Sequence, residues 1–171
     1  MALEKTLEAL ALAMEREEQG KRFYLEAAQK TSDAKGQQML RWLAAEEEKH
    51  HATLSRQRQS LMEKGKWLKA PPGAPPLDSA LFPSISEAAE LVSLQTGEMD
   101  ALKIGIQTEK NDVAAYSRAA RESPEPEARE MFSYLAKEEQ GHQDLLESEH
   151  EWLRRSGEYF TLHRFNLPGR S

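Results

Sequence analysis

Cysteine is absent from this 171-residue chain. Disulfides, thiolate catalysis, Cys-ligated zinc and iron–sulfur or rubredoxin-type centres built from its own side chains are therefore excluded. Long apolar runs are missing too, and nothing approaches the roughly 18–20 residues of a membrane span. The opening stretch carries Glu4 and Glu8 among its first apolar residues, which is not the pattern of a secretory leader, so a cytoplasmic location is expected. Basic residues are outnumbered, 23 Lys and Arg against 29 Asp and Glu, for a net charge of −6. Non-specific nucleic-acid binding needs a basic face and is not expected on that ground. Aromatic residues make up only 7% of the chain, and five of its eight prolines fall between Pro71 and Pro83. Outside that segment Ala, Leu, Glu, Lys, Gln and Arg dominate, all strong helix formers. The fold class is all-α.

Four long helices are expected. The first runs from about Leu3 to Lys30, with Leu7, Leu10, Ala11, Met14, Phe23-Tyr24 and Ala28 at helical spacing. Thr31-Ser32-Asp33 supplies a turn and an N-cap, and a second helix follows from about Ala34 to Lys64, stopped by Gly65. Pro71, Pro72, Pro75, Pro76 and Pro83 then forbid regular helix. That stretch still holds Trp67, Leu68, Leu77, Leu81 and Phe82, so it should lie against the protein. Ser86-Glu87 opens a short helical stretch, a third long helix runs from about Thr96 to Glu122, and a fourth from about Glu127 to Arg155 after the turn at Ser123–Pro126. The tail from residue 156 to 171 contains Tyr159, Phe160, Leu162 and Phe165 and should dock on the bundle or a partner subunit. The whole is expected to be one domain: hairpin 3–64, crossover 65–95, hairpin 96–155 and docked tail 156–171.

Displacing the chain by 92 residues superposes its two halves without a gap, giving 11 identities over positions 13–54. Biased helical composition alone would give roughly three or four. Glu17 meets Glu109, Tyr24 meets Tyr116, Glu46-Glu47 meets Glu138-Glu139 and His50 meets His142. The shared pattern is a Glu, a Tyr seven residues on, a turn, and then Glu-x-x-His. The midpoint of Glu17 and Glu47 is Ser32, in the first turn; that of Glu109 and Glu139 is Pro124, in the second. In an antiparallel hairpin each pair of Glu residues is therefore level. Positions i and i+3 share a face, so His50 stands beside Glu47 and His142 beside Glu139.

If the hairpins pack by equivalent faces, four Glu and two His converge in the middle of a bundle. Four buried carboxylates would be prohibitively costly alone, but two divalent cations cancel their charge. Oxygen ligands with two imidazoles suit iron or manganese better than a sulfur-seeking metal, and this is the ligand pattern of two-metal carboxylate bundles. The candidate ligands are Glu17, Glu47, His50, Glu109, Glu139 and His142. Glu48-x-x-His51 overlaps the first motif, but its repeat mates Gln140 and Gln143 cannot do the same work, and Glu48 and His51 are read as exposed. Tyr24 and Tyr116 are either core aromatics or hydroxyl donors to a ligating carboxylate. His150, His163, Trp42 and Trp152 are read as packing residues.

These strings, with Leu43-Ala44-Ala45-Glu46-Glu47 and Leu135-Ala136-Lys137-Glu138-Glu139, resemble the rubrerythrin branch of the ferritin-like superfamily, without its Cys-rich rubredoxin-like domain. The resemblance spans most of positions 10–150 and implies a left-handed bundle whose second and third helices run parallel, joined by a long crossover. Residues 65–85 could reach roughly 70 Å fully extended, against about 45 Å for a thirty-residue helix. Rubrerythrins place tyrosines near their metals. They also carry a Glu where this chain has Asp112, and that Glu exchanges with a His ligand as the metals change oxidation state. Aspartate is one methylene shorter, so Asp112 is either a metal ligand in some state or a hydrogen-bonding neighbour; its repeat mate is Gly20.

The resemblance implies an oxidoreductase with two iron ions per chain (manganese or zinc being the alternatives), reducing hydrogen peroxide or dioxygen. Lacking cysteine, the chain would need an external electron donor, rubredoxin-like or otherwise. Iron oxidation for storage or transfer is the rival reading, and a structural metal-binding bundle a third. The proline-rich crossover and apolar tail argue for a homodimer over a large shell. No nucleic-acid or membrane partner is expected.

Overall fold

A computed structural model describes residues 2–71 and 96–159. Within them the chain forms four helices and no strand: α1 Ala2–Lys30, α2 Ala34–Lys64, α3 Thr96–Glu122 and α4 Pro126–Ser156. The expected short stretch at Ser86, the apolar side chains Leu77, Leu81 and Phe82, and the tail beyond Tyr159 lie outside the described residues.

Local chemistry sets the helix ends. Asp33 caps α2, its carboxylate accepting from the backbone N–H of Lys35 at 2.7 Å and of Gly36 at 3.1 Å. Gly65 ends α2 at φ +64° and Gly157 ends α4 at φ +76°, a left-handed conformation that a Cβ would disfavour. Pro126 occupies the first turn of α4, where a missing N–H leaves nothing unsatisfied.

Each consecutive pair, α1 with α2 and α3 with α4, packs as an antiparallel hairpin. Contacts between the hairpins fix their relation. Tyr24 meets Glu109 and Tyr116 meets Glu17, so numbers rise on α1 as they fall on α3. Glu47 meets His142 and Glu139 meets His50, which makes α2 and α4 antiparallel as well. It follows that α2 and α3 run in the same direction. None of the described helices is long and apolar enough to cross a membrane.

The interior is layered. One apolar cluster, around Tyr24, Met39, Leu43, Leu102, Leu146 and Leu153, fills the end near the two hairpin-facing residues Thr31 and Tyr159. A second, around Leu10, Leu54, Tyr116, Met131 and Leu135, fills the other. Each fully buried Leu contributes roughly 1.5–3 kcal/mol, and these two apolar ends offset a polar layer held between them. Two clips extend the core past the helices. The Gln57 side chain both accepts from Leu68 N–H at 2.8 Å and donates to its carbonyl at 3.1 Å, and Trp67 packs edge-on to Phe132 at 5.9 Å. The start of the crossover thus lies on the bundle through Trp67, whereas the Leu68 side chain is exposed, against expectation, because its backbone alone is held. Tyr159 is buried with its ring over Gly36 and Thr31.

Candidate metal centre

The polar layer consists of Glu17 on α1, Glu47 and His50 on α2, Glu109 on α3, and Glu139 and His142 on α4, none more than 4% exposed. Helical spacing places each Glu-x-x-His pair on one inward face, and the level pairing of each hairpin brings its first Glu to the same height. Glu139 is central. Its Oε1 lies 2.9 Å from Nδ1 of His50, and its Oε2 lies 3.0 Å from Nδ1 of His142. Around the first imidazole stands Glu17, with Oε2 at 3.5 Å; around the second stand Glu47, with Oε1 at 3.5 Å, and Glu109, with Oε2 at 3.9 Å. The two imidazoles lie nearly parallel with centroids 5.4 Å apart. Four of these groups, Glu47, His50, Glu139 and His142, offer one ligand atom each within 4.8 Å of one another.

The hydrogen bonding is incomplete in a telling way. Oε2 of Glu17, Oε1 of Glu47, both oxygens of Glu139, both ring nitrogens of His50 and Nδ1 of His142 are buried without a hydrogen-bond partner. The His–Glu139 separations are of hydrogen-bond length, yet the donor directions are not met. Buried polar atoms are almost always paired, so seven orphaned acceptor or ligand atoms in one cluster mark a group that could hold a cation. Two further oxygens are satisfied: Tyr24 donates its hydroxyl hydrogen to Oε1 of Glu109, and Tyr116 donates to Oε1 of Glu17. Each tyrosine reaches across to the opposite hairpin, leaving the other oxygen of its Glu facing inward.

Electrostatics agrees with a cage that lacks compensation of its own. Burial pushes the carboxyls of Glu47 and Glu109 well above the usual carboxylate range, and the charge of Glu139 pushes further. Burial acts on Glu139 in the same sense, but His50 and His142 hold it well below that range. Burial disfavours charge on His50 and His142, yet Glu139 raises both. Protons here do what cations would do: they neutralise clustered carboxylates. Burial likewise raises Tyr24 and Tyr116, which stay protonated donors.

Asp112 does not face the cluster alone. Its Oδ1 accepts from Nε of Arg16 on α1 at 2.7 Å and from Nη2 of the same guanidinium. Burial nevertheless lifts its carboxyl to about 6, against the pull of Arg16. Glu48 is exposed as expected and pairs with Lys21; His51 is half-buried, not exposed, because it sits one residue from the inward face. Trp42 is more than packing filler, standing edge-on to His142 at 5.6 Å. Sequence reasoning missed Arg16, Glu46 and Tyr134. Glu46 is buried and paired with Lys49 at 2.6 Å. Tyr134 is the repeat mate of Trp42, a match of aromatic character that an identity count passes over.

A four-helix bundle of two repeated hairpins, closed around a layer of carboxylates and imidazoles, defines the class of two-metal carboxylate helical proteins. The sequence matches the Rubrerythrin family over residues 8–150, and the chain belongs to that family. A solved structure of a hypothetical protein from Pyrococcus furiosus is similar to it, at 25% identity and a TM-score of 0.64, covering 90% of this chain and 92% of that one. No curated protein matches the chain. Family and cluster together support a di-iron site.

Proposed function

We propose that Glu17, Glu47, His50, Glu109, Glu139 and His142 hold two iron ions per chain, and that the protein reduces hydrogen peroxide, or dioxygen, with electrons from an external donor. The observation that carries this reading is Glu139, whose two oxygens face two different imidazole nitrogens without hydrogen-bond geometry. A carboxylate so placed would be open to a cation on either imidazole's side. Glu17 beside His50, and Glu47 and Glu109 beside His142, would be the other groups to hold the ions.

Bound there, the metal pair would supply the two electrons that divide one peroxide into two waters with two protons. The chain supplies the rest. Tyr24 and Tyr116 fix the orientation of Glu109 and Glu17 and remain neutral while doing so. The apolar clusters on either side exclude bulk water from the layer between them. Asp112, lifted to about 6 and one turn from Glu109, can hold or release a proton near neutral pH. Electrons must come from outside, because this chain has no cysteine to bind a relay cluster. A homodimer located in the cytoplasm remains part of the proposal.

The test is an anaerobic iron titration followed by stoichiometric peroxide, read by metal analysis and the visible spectrum. The reading expects two Fe(II) bound per chain and one peroxide consumed per filled site, with a new oxidised-iron band. Oxidation of many iron ions per chain would favour iron storage or transfer; no spectral change on peroxide would leave a structural site.

A further inference from the structure

Away from the buried cluster, a groove of about 530 Å³ lies between α3 and α4. Two alanines, Ala120 and Ala136, each 9% exposed, form its floor. Its walls are Ser117 and Arg121 of α3, and Arg129, Ser133 and Lys137 of α4. Both serines are half-buried, and the three basic side chains are exposed. The wall residues recur at every fourth position, so they share one face of each helix. Contacts of Tyr116 with Phe132 and of Glu109 with His142 set the register of this antiparallel pair. In that register Ser117 stands close to the height of Ser133, and Arg121 close to that of Arg129.

The charge collected here is uncompensated. The whole chain carries −6, yet no Asp or Glu lines the groove. Glu122, next to Arg121 in the chain, is taken by Arg118 at 2.9 Å. Among the described residues Arg121 and Lys137 have no carboxylate partner. Arg129 meets only the backbone carbonyls of Ser123, at 3.0 Å, and Pro124, at 2.7 Å, which hold its guanidinium in place. Two guanidiniums at similar height across one seam repel each other until an anion comes between them. The fold does not demand this charge. The matching seam of the first hairpin keeps the alanine floor, as Ala28 and Ala44, but has Gln29, Gln37 and Ala45 in place of Arg121, Arg129 and Lys137. Its one cation, Arg41, replaces Ser133.

We propose that the α3–α4 groove is a binding site for a phosphate-bearing small molecule. Arg121 and Arg129 would grip one phosphate from two sides, since planar guanidinium forks match phosphate oxygens. Ser117 and Ser133 donate their hydroxyls between them, and Lys137, one turn further along α4, takes a second negative charge. Three cations call for more charge than one carboxylate carries, whereas a single phosphate group brings about −1.5 to −2 near neutral pH. The volume is that of a small-ligand site, and the alanine floor leaves room for an organic part. None of the groove residues belongs to the buried cluster, so the proposal stands apart from what that cluster holds.

The experiment is calorimetric titration of the full chain, freed of metal so that no bound cation can recruit phosphate. Pyrophosphate should bind one per chain with a Kd of about 0.1 mM or tighter. Arg121→Ala and Lys137→Ala, both at exposed positions, should each weaken it by about ten-fold or more. Arg22→Ala, on α1 and outside the groove, should leave it unchanged. Adenosine triphosphate binding tighter than pyrophosphate would mark a phosphate ester as the ligand, and equal or weaker binding would mark free phosphates; each upholds the shared chemistry. Absence of binding by both probes would overturn the proposal. So would an affinity unmoved by Arg121→Ala and Lys137→Ala, or citrate bound as tightly as pyrophosphate, which would reduce the groove to a patch of plain positive charge. Metal binding at the cluster is read separately, so either conclusion can fail alone.

Discussion

Tyr24 of the first hairpin gives its hydroxyl hydrogen to Glu109 of the second, and the relation is reciprocated by Tyr116 and Glu17. These crossed contacts do two things at once. They tie together hairpins whose helices α1 and α3 otherwise pack lightly, and they leave Oε2 of Glu17 without a partner and Oε2 of Glu109 turned toward His142.

Tyr24→Phe should therefore act on both fold and site. It leaves a buried carboxylate oxygen without its donor, a loss of about 1–3 kcal/mol. It also unfixes the orientation of Glu109, for which roughly 10–100-fold weaker cation binding is expected. Urea unfolding of the metal-free protein and Co(II) titration measure the two effects; a variant unchanged in both would show that the hydroxyl contact is incidental.

Glu109→Ala removes a carboxylate and not merely its support. Cation affinity should fall further than in Tyr24→Phe, while far-UV circular dichroism stays helical because the apolar clusters are intact. Undiminished metal stoichiometry by elemental analysis would contradict the role given to Glu109.

Two glycines on inward helix faces should respond in opposite ways. A Cβ on Gly36 would lie 2.7 Å from the Tyr159 ring and 2.9 Å from Cγ2 of Thr31, so Gly36→Ala should destabilise by roughly 1–3 kcal/mol and leave metal stoichiometry alone. At Gly20 the neighbour is the movable carboxylate of Glu47, at 3.3 Å. Gly20→Ala should raise the metal-free melting temperature, through a helix-propensity gain of up to about 1 kcal/mol, and weaken cation binding. Thermal melts with and without EDTA separate these outcomes.

The pH dependence has a definite sign. In the metal-free fold Glu47 and Glu109 are raised above 4.5, and His50 and His142 above 6.5. Groups raised in this way stabilise fully below their unfolded values and lose that contribution as pH climbs through their folded values. Glu139 is lowered, so its contribution is present above 4.5 and lost in acid. Metal-free protein should be most stable near pH 4.5 and weaken as pH rises toward about 8. Cations need the same groups deprotonated, so their stabilisation grows with pH. The gap in melting temperature between Zn(II)-loaded and EDTA-treated protein should widen from about pH 5.5 to about pH 8; a constant or shrinking gap would contradict the proton–cation exchange.

Much of this was legible in the chain because the repeat doubles every signal. Helix-forming composition and the stops at Gly65 and the proline segment define four helices, and Glu-x-x-His at equal distances from two turns brings six side chains to one height. The partners of Tyr24 and Tyr116 were half legible: a carboxylate was foreseeable, but which hairpin supplies it depends on the α1–α3 register, which no local pattern encodes. The same holds for Arg16 and Asp112, paired across 96 residues. Gly36 under Tyr159 is hidden for another reason, since nothing in a glycine announces the ring it makes room for.

The most direct measurement is anomalous diffraction at the iron edge from iron-loaded crystals. The account predicts two iron peaks per chain, about 4 Å or less apart, one bonded to Nδ1 of His50 and the other to Nδ1 of His142, with Glu139 giving one oxygen to each. A single peak, or iron bound only at surface carboxylates with Glu139 still bare, would contradict it.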